Sequence, residues 1–168
     1  MIYLFFIFFT LVSTLIIQSI FSMYFPLFGT VPELVLISVV YFSLKEGVVF
    51  GEFYGFVAGL ILDIFSLQIF GLRAFLFTFI GFSVGKYSHK LDESKIKVQV
   101  LINSIVLIAC ILIARFVSLI FIPYSTALNI TGLFWTVIYS CIIVPFEFTI
   151  LEFWVKKIKK WSGKANLI

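Results

Sequence analysis

From Ile2 to Phe25 the chain carries no charged side chain, and a run of that length crosses a bilayer as one helix, which takes roughly 20 residues. Further apolar stretches follow, separated by short polar turns. Hydrophobic residues make up 62% of the 168 positions and charged residues 12%, against about 25% charged in a soluble domain. Mean hydropathy is +1.22. So few charges cannot cover a water-facing surface, and the chain reads as an all-α integral membrane protein. The 23 Phe residues suit lipid contact and close helix packing. Ile2 to Phe25 lacks both the basic n-region and the small-residue cleavage site of a signal peptide; it reads as a retained anchor.

Six segments follow from the apolar pattern, in one bundle: about Ile2 to Phe25, Val31 to Leu44, Val48 to Phe65, Gly71 to Gly85, Val98 to Ile122 and Gly132 to Val155. Pro26 and Pro32 bracket the first loop, around Phe28-Gly29-Thr30, and Pro123 to Thr131 form the last. The second segment is short for a full crossing at 1.5 Å per residue. It fits a tilted span, a segment continuous with its neighbour, or a partly re-entrant one. Residues 1–168 are expected to form a single transmembrane domain, ending in a basic tail at 156–168.

Ten of the twelve Lys and Arg residues then fall on one side: Lys45 in a turn, Lys86, Lys90, Lys95 and Lys97 around one loop, and five lysines from Lys156 onward. The positive-inside rule places that side, with both termini, in the cytoplasm. Each basic cluster abuts an apolar segment, so anionic lipid headgroups, not nucleic acid, are the expected partner. Cys110 and Cys141 lie mid-segment and read as small packing residues; the lone His89 reads as a solvated loop residue.

Charges inside the spans are few, and each needs a partner or a task. Asp63, Arg73, Glu33 and Arg115 share one depth zone near the outer side. Pairing relieves the cost of burying them, which predicts an Asp63–Arg73 ion pair and a second pair between Glu33 and Arg115; a proton or ion relay and contact with a partner's transmembrane helix are the other readings. Glu52 and Glu147 lie toward the inner side, with Glu152 solvated at its edge. Glu147 follows Pro145, which removes a helix hydrogen bond; it fits either a polar spot lining the bundle or a site without one. Gly51, Gly55 and Gly59 recur every four residues, with Asp63 next on the row, and Gly81-x-x-x-Gly85 repeats the spacing. Such rows let helices approach closely. This one fits internal packing or a face shared with another protein.

Enzymatic readings fare poorly against the residues. Intramembrane aspartyl proteolysis needs two facing aspartates, but Asp92 lies in the polar loop and only Asp63 is embedded. A membrane serine protease needs an embedded histidine. No HExxH, GxSxG or phosphate-cradling loop occurs. The chain is therefore expected to be neither an enzyme nor a carrier of metal or cofactor.

Three motifs, Pro32-Glu33-Leu34, Gly55-Phe56-x-x-Gly59-Leu60-x-x-Asp63 and Gly71-Leu72-Arg73-Ala74, resemble those of the bacterial MreD rod shape-determining family. Chain length, the multi-span plan, a last span with Trp135 and Pro145, and the basic tail are similar too. Glu33 stands where the family often has aspartate, a departure that keeps the charge. The resemblance implies a non-enzymatic inner-membrane component of the elongation complex. Its implied partners are MreC, the actin-like MreB, the polymerase RodA and its penicillin-binding transpeptidase, which together direct lateral peptidoglycan synthesis. The family is also similar in fold to the substrate-binding subunits of energy-coupling-factor transporters. That likeness supplies an alternative, a vitamin-type small-molecule binding subunit, which would need a solute-sized polar pocket at the outer end.

Overall fold

A computed structural model describes residues 2–26, 29–66, 69–90, 95–121 and 130–165, with side chains at 2–6, 90, 130 and 159–165 left undescribed. Expectations for Phe28, for Asp92, for most of the Pro123 to Thr131 loop and for the side chains of Lys90, Lys159, Lys160 and Lys164 fall outside that set. The described chain is helical: α1 (Ile2–Tyr24), α2 (Leu34–Glu46), α3 (Val48–Phe65), α4 (Leu72–Tyr87), α5 (Ile96–Phe121) and α6 (Ile130–Ala165). One 3-10 turn, Ser88–Lys90, follows α4 and carries an exposed His89. Helix α6 runs on past Val155, so the basic tail continues the last span up to Ala165.

Four helices are long and apolar enough to cross a membrane: α1, α3, α5 and α6. The other two are short. Helix α2 has 13 residues and α4 has 16, or about 20 and 24 Å at 1.5 Å per residue, against a hydrocarbon core of about 30 Å. The open question about the second segment thus resolves into a separate short helix. Gly47, at φ +86°, breaks it from α3, a backbone conformation that side-chain-bearing residues rarely adopt.

Every residue of α2 from Leu34 to Leu44 is buried. A helix apolar all round belongs inside a bundle, and α2 touches all five other helices. Its Phe42 stacks at a tilt on Tyr54 of α3, and Tyr41 meets Phe148 of α6 edge to face. The large exposed side chains, such as Phe53, Phe79, Phe116 and Phe146, face outward, where lipid replaces water as solvent.

The most extensive helix pair is α3 with α4. Their seam is the glycine row. A Cβ on Gly51, Gly55 or Gly59 would overlap, in turn, Ser43 and Gly81, the Phe77 carbonyl, and the backbone of Ala74. Reciprocally, a Cβ on Gly85 would lie 2.6 Å from the Val48 Cα. Each four-residue step along α3 meets a four-residue step back along α4, so the two backbones touch over most of their length. Of the two readings of the row, the structure takes internal packing: α4 fills it.

Candidate functional site

The short helices α2 and α4 both begin against longer helices, and their first N–H groups need acceptors. Four such donors are left over at any helix start. The long helices supply the acceptors. At α4, the Asp63 carboxylate of α3 accepts from the backbone N–H of Arg73 at 3.3 Å and of Ala74 at 3.1 Å. Asp63 is 2% exposed, and the positive end of the α4 dipole also favours its charge. Gly71, at φ +89°, forms the turn into the helix.

The expected Asp63–Arg73 ion pair therefore does not form. Asp63 meets the backbone of residue 73 and not its guanidinium, because amides at a helix start point out along the axis while side chains leave sideways. Glu33 and Arg115 form no ion pair with each other either. Glu33 precedes α2, where its backbone N–H donates to Ser140 Oγ of α6 at 3.2 Å. The Val35 N–H donates to Gln18 Oε1 of α1 at 2.9 Å, and the Gln18 amide reaches Glu33 Oε2 at 3.5 Å. Pro32, just before, is fully buried.

Gln18 and Ser140 were not singled out from the sequence. Gln18 has a signal, as the one amide side chain in an uncharged apolar run. Ser140 has none beyond being polar. What either one faces is decided by packing alone.

Glu33, Arg73 and Arg115 do come together, as walls of a cavity. An open chamber of about 570 Å³ is lined by these three with Gln18, Ser22 and Thr136. A second cavity of about 200 Å³, which shares Glu33, Arg73 and Arg115 with it, is lined by Leu36, Phe77 and Cys110. The Arg73 guanidinium makes no hydrogen bond or ion pair to a described residue.

Glu147 lies elsewhere. It is on α6, 8% exposed, beside an apolar groove of about 520 Å³ between α1 and α6. Neither carboxyl oxygen has a hydrogen-bond partner among the described residues. At the basic end, Lys156 Nζ pairs with Glu152 Oε1 at 3.0 Å, and Lys45 lies within electrostatic reach of Glu152. The turn after α2 and the end of α6 therefore share one end of the bundle. Cys110 and Cys141 are free, and Cys141 Sγ lies 3.0 Å from Ser104 Oγ of α5. Among the described residues no group of three His, Cys, Asp or Glu is placed to hold a metal ion.

No curated protein and no solved structure matches the chain. The motif residues divide between the α3–α4 seam, where Gly55, Gly59 and Asp63 lie, and the polar chamber that Glu33 and Arg73 line. The family model for the rod shape-determining protein MreD matches residues 1–161, so this multi-pass membrane protein belongs to the MreD family and has its role in rod shape determination.

Proposed function

We propose that the chain is a non-enzymatic scaffold of the inner-membrane elongation complex. It supports lateral peptidoglycan synthesis through contacts with MreC and, with MreC, with MreB, RodA and its transpeptidase. The single observation that carries this reading is the family match over residues 1–161. The embedded polar residues agree with it. Asp63, Gln18 and Ser140 all hold helix ends, which is the work of a rigid platform. In this reading residues 1–168 form one transmembrane domain with both termini cytoplasmic, on the basis of the ten lysines on one side.

A scaffold acts by raising the effective concentration of the partners that it holds. Depletion in a rod-shaped bacterium should therefore round the cells and scatter fluorescent MreC and MreB, while isolated polymerase keeps its activity in detergent. Depleted cells that stay rod-shaped would sink the proposal. Reporter fusions at Ile168 and near Asp92 test the orientation; a periplasmic signal at either position overturns it.

The chamber lined by Glu33, Arg73 and Arg115 favours a second reading, a small-molecule binding subunit of a transporter. A binding screen of the detergent-purified chain against vitamins separates the two. Binding that Arg73→Ala abolishes, in cells whose shape does not depend on the protein, selects the transport reading.

A further inference from the structure

Glu147 lies near the middle of the Thr131–Ile158 span and is 8% exposed. A carboxyl group without a partner is costly there in either protonation state. The hydroxyl donors facing the same groove are already engaged. Thr10 Oγ1 donates to the Ile7 carbonyl at 2.7 Å and Ser13 Oγ to that of Thr10 at 2.9 Å. Thr14 Oγ1 donates to the Leu11 carbonyl at 2.9 Å. Tyr139 donates to Phe25 O at 3.2 Å, and the Tyr54 hydroxyl, near Glu147, donates to Ser38 Oγ at 3.2 Å. The groove has walls and an acceptor, and the hydroxyls among its described residues are engaged.

Its shape narrows the occupant. The groove follows α6 from Tyr139 to Trp154 and α1 from Phe9 to Phe21, about 20 Å along the helices. Small side chains at Thr10, Ser13 and Thr14 line its α1 side, which lets another backbone come close. Phe9, Ile17, Phe146 and Ile150 at its edges are exposed. A lipid chain would fill the volume but carries no donor at this depth, and a headgroup amine stays at the interface. A helix brings both an apolar face and a donor side chain.

The geometry points to the α1–α6 groove as the seat of a membrane-spanning helix of another protein, held by a donor side chain (Ser, Thr, Asn, Gln, Lys or Arg) that bonds to Glu147. This rests on the scaffold reading, which needs a helix-binding face, and the glycine row is closed to that use by α4.

The test is photo-crosslinking in native membranes, with a benzophenone amino acid placed in the full chain at Ile17 or Ile150, or at Phe116 on the exposed side of α5 as control. Ile17 and Ile150 should capture one membrane-spanning segment that Phe116 does not. Glu147→Leu should lower the yield roughly three- to tenfold, the range for one hydrogen bond between membrane helices, at unchanged protein level. Glu147→Gln should keep most of it, because the amide oxygen still accepts. Replacing the donor on the captured helix by Leu should reproduce the loss, and combining it with Glu147→Leu should add nothing.

Capture of lipid alone or of a second copy of this chain overturns the inference, as does a yield indifferent to Glu147→Leu. MreC that co-purifies without crosslinking at the groove overturns it and leaves the scaffold standing. A Glu147-dependent crosslink to a helix from outside the elongation complex supports the groove and counts against the scaffold reading.

Discussion

The α3–α4 hairpin and the α1–α6 pair each bury one acid within the bundle, and they treat it in opposite ways. Asp63 accepts two backbone N–H bonds at the start of α4, where the helix dipole adds to them. Glu147 has walls but no hydrogen-bond partner among the described residues. Around Asp63 the backbones touch through glycines; beside Glu147 the helices part around a groove of about 520 Å³. A buried carboxylate in lipid thus does not by itself mark a functional site. The satisfied one is part of the frame, and the unsatisfied one is where a partner has something to add.

The contrast breaks most visibly at the seam. Gly55→Leu places a branched side chain against the Phe77 carbonyl, a backbone atom that cannot step aside. Overpacking costs about 1–3 kcal/mol where side chains can adjust, so here about 3 kcal/mol or more is expected. Protein level in membranes should collapse, and any purified fraction should melt early. A variant with wild-type Tm would mean that α3 and α4 do not meet as described.

Asp63→Ala comes next. Two amides lose their acceptor, and a buried unsatisfied group costs about 1–3 kcal/mol, which lowers Tm by about 2–4 °C per kcal/mol for a domain of this size. Arg73→Ala should leave Tm nearly unchanged, and adding it to Asp63→Ala should not rescue. Rescue in a double-mutant cycle would restore the ion pair that the hydrogen bonds argue against. Gln18→Leu removes the acceptor for the Val35 N–H and should cost about 1 kcal/mol, as the loss of a helix cap does. Thermal melts of the three variants side by side rank the effects.

Glu147→Leu should have the smallest effect on stability, with the opposite sign. Exchanging an uncompensated buried acid for a hydrophobe of similar size is neutral or stabilising, so Tm should hold or rise while any partner contact weakens. A fall as large as that of Asp63→Ala would show that Glu147 has a structural partner, and the contrast would be lost.

The helical spans were legible because apolar runs of the right length have one solution in a bilayer, where each backbone group must be paired within its own segment. The observed helix ends fall within a few residues of the expected ones from Val48 to Gly85, where Gly47 and Gly71 punctuate the chain. The continuation of α6 to Ala165 was less legible, since lysines are compatible both with a helix and with a tail. The motif residues were visible as a row, but their jobs were not. Asp63 beside Arg73 reads as an ion pair in one dimension, because sequence shows side chains and hides the direction of the amides.

Membrane embedding, the multi-span helical plan and family membership were determined by the sequence alone, since they follow from composition, run length and motif spacing. The tertiary structure decided everything that depends on which faces meet. It placed α2 at the centre, closed the glycine row with α4, turned Asp63 onto backbone amides, and left Glu147 beside an open groove. The physical reason is that hydrogen bonds and close contacts between helices depend on rotation about each axis. In lipid, where both faces of a helix are apolar, the hydrophobic pattern that sets this rotation in water-soluble proteins is absent.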